Sequence, residues 1–171
     1  MLSLFIKQPI MTAKKDWVQK LQNRKDLPQI KEVNGKMSTR WGKGSFVIPA
    51  PIEVDQIMAK VPKGKVTTIN EIRRLLAEKH KVNFACPVTT GIFAWIAAYA
   101  AEQRKEEGKK KTTPYWRTLK TGGFLNPKYP GGVGEQGKKL KKEGLKIARK
   151  GSNNYVVVDH EKFLAKINLS K

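Results

Sequence analysis

Apolar residues recur at helical spacing in three stretches of the chain. In Ile52–Val61, which follows Pro49 and Pro51, the stripe is Val54, Ile57, Met58 and Val61. In the second stretch Ile69, Ile72, Leu75 and Leu76 fall on one face, while Arg73, Arg74 and Lys79 lie elsewhere on the wheel. Thr68-Ile69-Asn70-Glu71 opens that helix as a capping box, in which a hydroxyl and a carboxylate satisfy orphan amides, and the pattern fades near Lys79–Lys81. Pro87 suits the first turn of a third helix over Val88–Glu102, with Ile92, Trp95, Ile96 and Tyr99 as its stripe. The rest of that helix is mainly alanine, so it is apolar nearly all round and predicted to be buried on most sides. A shorter helix is predicted over Asp16–Arg24, with Trp17, Val18 and Leu21 on one face.

Turn and strand signals divide the remainder. Pro62-Lys63-Gly64-Lys65 is a turn, and Gln103–Thr113 reads as a charged loop. Tyr115–Lys120 and Phe124–Asn126 read as two short strands around Gly122-Gly123. Gly131-Gly132 leads into a helix carrying Leu140. Leu145–Ala148 and Tyr155–Val158 flank a Gly151–Asn154 turn, and Glu161–Ile167 reads as a short helix. Pro28, Gly35, Gly42 and Gly44 break periodicity near the start. The predicted organisation is a basic arm over residues 1–45, pinned by Trp41 and Phe46, and a domain over 46–148. Residues 149–171 add a hairpin strand and short helix packed on that domain. The fold class is mainly α with small β-hairpins. Two successive helices followed by a basic hairpin form a winged helix-turn-helix pattern.

Charge narrows the choice of partner. The 171 residues hold 35 Lys and Arg against 14 Asp and Glu, a formal net charge of +21. Such an excess favours polyanions. Duplex DNA is the first expectation and RNA the second. A membrane surface is disfavoured, because the cations are not gathered on one amphipathic helix. One cysteine and two histidines permit neither an internal disulfide nor a thiol-based zinc site, so no metal or cofactor is expected. No phosphate loop, Ser/His/Asp set or carboxylate pair appears, and His80 and His160 read as surface residues. Cysteine usage suits a reducing compartment: a cytoplasmic monomer, nucleoid-associated in a bacterium or archaeon. Met1–Ile10 is short for a secretory signal, and Met11 begins a more ordinary sequence.

Over about Ile52–Ile147 the chain resembles the DNA-binding domain of the O6-alkylguanine-DNA alkyltransferase family. Val61-Pro62-Lys63-Gly64-Lys65-Val66-Thr67-Thr68, with Glu71-Ile72, is similar to that family's opening I-P-x-G-x-V-x-[ST]-Y-G-E-I-A. Pro114-Tyr115-Trp116-Arg117 stands where the family has Pro-Cys-His-Arg. Gly122-Gly123 and Tyr129-Pro130-Gly131-Gly132 match its glycine-rich turns, and Lys139-Leu140 with Glu143-Gly144 match its closing helix. The resemblance implies a winged-helix duplex binder in a DNA-repair setting. It does not imply alkyl transfer, because Tyr115 and Trp116 replace the acceptor cysteine and its histidine. A phenol with a pKa near 10 is largely protonated at neutral pH, and an indole is no general base. Alkyltransferase-like proteins also lack the cysteine, but keep the histidine. The family's phosphate-rotating tyrosine falls at Ile69 and its arginine finger at Val88, so its base-flipping groups are missing here.

The expected nucleic-acid contacts are Thr68, Thr89, Thr90, Gly91, Lys109, Lys110, Lys111, Arg117 and Lys120. Thr89, Thr90 and Gly91 sit at the tip of the recognition helix, where helix capping is an equal explanation for the threonines. Arg117 suits a hairpin-fixing role through backbone carbonyls as well as a DNA contact. Tyr115 and Trp116 either line a base pocket or fill the core. Three functions follow: a non-catalytic DNA binder, a diverged alkyltransferase using Cys86, and a basic RNA- or ribosome-associated protein. Cys86 precedes a helix start, where a thiol is activated, yet a buried space-filling role suits it better.

Overall fold

The structure is a computed structural model that describes residues 14–170. Met1–Ile10 and Met11 lie outside the described residues. The elements run α1 (Trp17–Gln22), β1 (Gln29–Glu32), α2 (Met37–Trp41), β2 (Ser45–Ile48), α3 (Pro51–Met58), β3 (Thr67–Thr68), α4 (Ile69–His80) and β4 (Phe84–Ala85). They continue with α5 (Pro87–Glu106), β5 (Thr118–Leu119), α6 (Gly132–Lys142), β6 (Ile147–Arg149) and β7 (Tyr155–Val157). Short 3-10 turns cover Tyr115–Arg117, Thr121–Gly123 and His160–Phe163. No described helix is long and apolar enough to cross a membrane.

The fold is mixed helix and strand, with three small sheets rather than hairpins alone. β6 and β7 form the antiparallel hairpin that the Gly151–Asn154 turn predicts. The other sheets contain parallel pairs, β2 with β4 and β3 with β5. Parallel pairing joins segments far apart in sequence and leaves no turn signal. The expected strand pair around Gly122-Gly123 is therefore not a hairpin. Thr118–Leu119 pairs with Thr67–Thr68, and Phe124 bridges to Val156 of β7. Gly123, at φ +83°, turns the chain between them. The helix expected over Glu161–Ile167 is only a 3-10 turn. Beyond it the chain pairs with Val66, whose amide donates to the Phe163 carbonyl at 2.9 Å and whose carbonyl accepts from the Ala165 amide at 2.8 Å.

The described residues of the basic arm are structured and packed. Asp16 caps α1 by accepting from the Gln19 amide at 3.0 Å, and Leu21 is fully buried. Trp17 stacks on Tyr99 at 4.8 Å and meets Trp95 edge-on at 5.6 Å. Gln103 accepts from the first free amides of α1, Trp17 at 2.7 Å and Val18 at 3.3 Å. Gln103–Glu106 is thus the last turn of α5, and the expected loop shrinks to the residues after it. Gln29–Glu32 is an edge strand on β2, unmarked by alternation because its residues are mostly exposed. Trp41 meets Phe46 and Phe84 edge-on, each at 5.7 Å, which supplies the expected anchor.

The large residues of α5 do not form its buried face. Ala94, Ala97, Ala98, Ala100 and Ala101 are buried, whereas Ile92 is 38% exposed and Trp95, Ile96 and Tyr99 are half-buried. α5 packs on α3 and α4 through the alanines, and side-chain size at the contact sets how closely helices approach. α1 roofs Trp95 and Tyr99 from the other side. One apolar cluster joins α1, α3, α4 and α5, and a second gathers Val66, Leu119, Leu125, Leu140, Leu145 and Val157. Trp116 packs against both.

Buried polar groups tie these layers together. Glu53 accepts from the Ala50 amide at 2.9 Å, from Lys79 at 2.6 Å and from His80 at 2.8 Å. His80 is therefore a link between α3 and α4 and not a surface residue, and the His160 side chain is likewise only 15% exposed. In the predicted capping box Thr68 accepts from the Glu71 amide at 3.3 Å, but the Glu71 carboxylate pairs with Arg74 at 2.7 Å instead of closing the box. Thr67 and Thr118 are register partners, both fully buried, and neither hydroxyl has a partner among the described residues. Each such hydroxyl carries a desolvation cost of about 1–3 kcal/mol. Replacing both by valine is expected to raise the unfolding free energy by about 1 kcal/mol in urea titrations. A loss of stability would show that the hydroxyls are bonded in solution.

Candidate nucleic-acid interface

An open groove of about 540 Å³ lies between the first turns of α5 and the segment from Leu119 to Tyr129. α4 contributes Ile69, and α5 contributes Pro87, Val88, Gly91, Ile92 and Trp95. The facing wall holds Lys120, Thr121, Phe124, Asn126, Pro127, Lys128 and Tyr129.

Gln136 of α6 positions that wall. It is almost fully buried, accepts from the Asn126 amide at 2.7 Å, and donates to the carbonyls of Trp116 at 3.1 Å and Thr118 at 3.3 Å. Asn126 in turn accepts from the Lys128 amide at 3.0 Å, which fixes the turn and projects Lys128 outward. Gly131, at φ +76°, lets the chain enter α6 directly after Tyr129. Tyr129 is buried, meets Tyr115 edge-on at 5.5 Å, and is pushed by burial far above the ordinary phenol range, so it stays neutral.

Charge on the groove is one-sided. Lys120 and Lys128 are exposed, without an ion-pair partner among the described residues, and no carboxylate lines the groove. Nearby acids are engaged internally: Glu143 with Arg117 at 2.7 Å, Glu71 with Arg74 at 2.7 Å. The β6–β7 hairpin adds Lys150, whose Nζ lies 5.7 Å from the Phe124 ring centre. Arg149 braces the hairpin turn by donating to the carbonyls of Gly151 at 3.0 Å and Ser152 at 2.6 Å. On the rim Val88 is 60% exposed.

The predicted site residues divide. Gly91 and Lys120 line the groove, and the position of a Cβ on Gly91 is open space. Thr68 lies beside Ile69, with its hydroxyl engaged as a helix cap. Thr89 is half-buried, and its hydroxyl oxygen is buried without a partner among the described residues. Thr90 is fully buried, and its hydroxyl donates back to the Cys86 carbonyl four residues earlier at 2.7 Å, so it is turned into its own helix and caps nothing. Arg117 is a clamp: its guanidinium donates to Glu143 and, at 2.7 Å, to the Val61 carbonyl. Lys109, Lys110 and Lys111 are exposed at the far end of α5; Arg104, which accepts from the Lys109 amide, lies about 20 Å beyond Gly91 along the helix axis. They are not beside the groove.

Of the two readings of Tyr115, a base pocket or the core, its burial fits the core. Tyr115 is 1% exposed on a 3-10 turn, and its hydroxyl donates to Glu102 at 2.7 Å. Burial and that carboxylate push its phenol far above the ordinary range. Trp116 donates to Glu143 at 3.0 Å. Cys86 is buried and outside the groove lining, which matches its space-filling reading. Lys128, Tyr129 and Lys150 were not among the predicted contacts. Their local signs were the turn residues beside them, Asn126-Pro127, Tyr129-Pro130-Gly131-Gly132 and Gly151. Tyr115→Phe is expected to cost about 1 kcal/mol of stability, one buried hydrogen bond, and to leave duplex affinity unchanged in anisotropy titrations. A large affinity loss would move the phenol into the interface.

No protein-family model and no curated protein matches the chain. Solved structures similar to it include two from S. pombe. One is the crystal structure of S. pombe Atl1 in complex with damaged DNA containing O6-carboxymethylguanine, at 19% identity and TM-score 0.46, covering 68% of this chain and 94% of that one. The other is S. pombe ATL in complex with DNA, at 18% identity and TM-score 0.44 with the same coverage.

Proposed function

We propose that this protein binds duplex DNA through the groove at the start of α5 and transfers no group to or from it. The observation that carries the reading is the groove itself: two exposed, unpaired lysines, an apolar rim and no carboxylate. Phosphates are held by such cations, and apolar rim residues suit contact with sugars and base edges. In this reading α4 and α5 act as a helix-turn-helix, with α5 as the recognition helix and the β6–β7 hairpin as its wing. The protein acts as a monomer, in a DNA-repair setting that its sequence resemblance suggests.

The non-catalytic part rests on the nucleophiles. Tyr115 is neutral, buried and hydrogen-bonded to Glu102, and Cys86 is buried away from the groove. Neither presents an attacking atom to a base bound in the groove. Val88 at the rim makes no hydrogen bond to a base left unpaired by flipping, and extruding a base costs a few kcal/mol. Lesion preference is therefore small.

A binding panel at one salt concentration tests the proposal, comparing plain duplex, O6-methylguanine duplex, single strand and RNA. Plain duplex is expected to bind tighter than RNA, and the alkylated duplex within about tenfold of plain duplex. Intact mass after incubation with the alkylated duplex is expected to stay unchanged. Preference for RNA would overturn the choice of partner, and gain of one methyl would overturn the non-catalytic reading.

A further inference from the structure

The molecule carries a second basic cleft, at the opposite end of α5 from the groove. It measures about 460 Å³ in volume, with Arg104, Lys110, Lys111, Trp116 and Arg117 in its lining and no carboxylate. Glu107 has no cationic partner among the described residues and accepts from Gln103 Nε2 at 3.1 Å, while the other neighbouring acids are engaged. Asp55 accepts from Thr113 at 2.7 Å and lies 3.7 Å from Arg104, Glu106 pairs with Lys14 at 2.9 Å, and Glu143 holds Arg117. Lys109, Lys110 and Lys111 are exposed and have no ion-pair partner among the described residues. Their backbone is anchored, because the Lys109 amide donates to the Arg104 carbonyl at 2.9 Å and the Gly108 amide to the Lys105 carbonyl at 3.0 Å.

The chemistry of this cleft selects phosphates and little else. Trp116 has its indole N–H on Glu143 and two cations by its ring, Lys139 Nζ at 4.8 Å and the Arg117 guanidinium carbon at 5.4 Å from the centre, so the ring is already engaged and is a poor stacking platform for a base. The end of α5 carries carbonyl partial charge that repels anions, so contact falls to the lysines beyond it. Cations on a short anchored loop without an apolar anchor suit the sequence-independent backbone of a duplex.

We infer that the lysines at residues 109–111 hold a second duplex DNA segment while the groove holds the first, so that one monomer bridges two duplexes. The inference rests on the proposed function of the groove. The two clefts lie at opposite ends of a 20-residue helix, on either side of the segment Trp116–Leu119. A segment bound at one end therefore leaves the other open. Linking two sites in this way raises the effective concentration of the second segment with no new contact at the first.

The test captures a soluble fluorescent duplex on beads that carry a second duplex, using the full chain. In parallel, anisotropy reports affinity for a single duplex of about one helical turn. The variant Lys109→Glu/Lys110→Glu/Lys111→Glu is expected to lose capture by about tenfold or more and to keep single-duplex affinity within about threefold. Capture is expected to rise linearly with protein at low concentration. Unchanged capture by the triple variant would overturn the inference. A parallel loss of single-duplex affinity would also overturn it, since both clefts would then share one footprint. Capture rising with the square of protein concentration would overturn it too, by assigning bridging to a dimer. Failure of the wild-type chain to bind the single duplex at all would instead sink the proposed function of the groove.

Discussion

Glu143→Ala is expected to lower the unfolding free energy by about 3–5 kcal/mol, the range for breaking a buried ion pair from one side. Glu143 is the hub between the two apolar clusters. Its carboxylate accepts from Arg117 Nη2 at 2.7 Å, from Trp116 Nε1 at 3.0 Å and from the Gly64 amide at 3.3 Å. Both side chains of the pair are largely buried, at 8% and 13% exposure. Removing the carboxylate leaves a buried guanidinium with only the Val61 carbonyl, and frees the indole that packs on both clusters. Urea unfolding by tryptophan fluorescence and circular dichroism checks the loss. A change below about 1 kcal/mol would mean that the cluster opens to water.

The same carboxylate gives stability a definite pH dependence. Burial alone would raise its pKa, but the bonds from Arg117, Trp116 and the Gly64 amide outweigh burial and hold it below its ordinary value of 4.5. A folded-state pKa below the unfolded one contributes stability that is fully present above about pH 4.5 and is lost as pH falls through the folded value. Glu53 behaves alike: burial pushes it up, and Lys79, the Ala50 amide and His80 bring it below its ordinary range. Wild-type stability is therefore expected to fall on acidification below that pH, and Glu143→Gln to flatten part of the fall.

Reversing both groove lysines, Lys120→Glu with Lys128→Glu, is expected to weaken duplex binding by about a hundredfold, each charge-assisted contact contributing at least about 1.5 kcal/mol. The slope of log affinity against log salt is expected to shrink by about 1.8, since each neutralised phosphate contributes about 0.9. Both side chains are exposed with no ion pair among the described residues, so the fold is left within about 0.5 kcal/mol. Fluorescence anisotropy across a salt series separates the two quantities. An unchanged affinity would remove the groove from the interface.

What the sequence determined by itself is what a few neighbouring residues decide. Thr68 caps α4, whose buried face includes Ile72, Leu75 and Leu76, because cap and stripe lie within one helix. The Gly151–Asn154 turn sets the β6–β7 hairpin for the same local reason. The excess of cations, and a phenol where the resembling family has a thiol, are likewise plain in the sequence. Tertiary structure alone decided which face of α5 is buried, since period marks a face but close helix approach demands its alanines rather than Trp95 and Tyr99. It also decided that Tyr115 enters the core and that Arg117 clamps Val61 to Glu143, through partners 13, 56 and 26 residues away. The groove follows the same rule. Ile69, Gly91, Lys120 and Lys128 come together because parallel strand pairing and the buried Gln136 join segments with no signal in common. Lys109–Lys111, close to the groove wall in sequence, are carried away from it by the rigid length of α5.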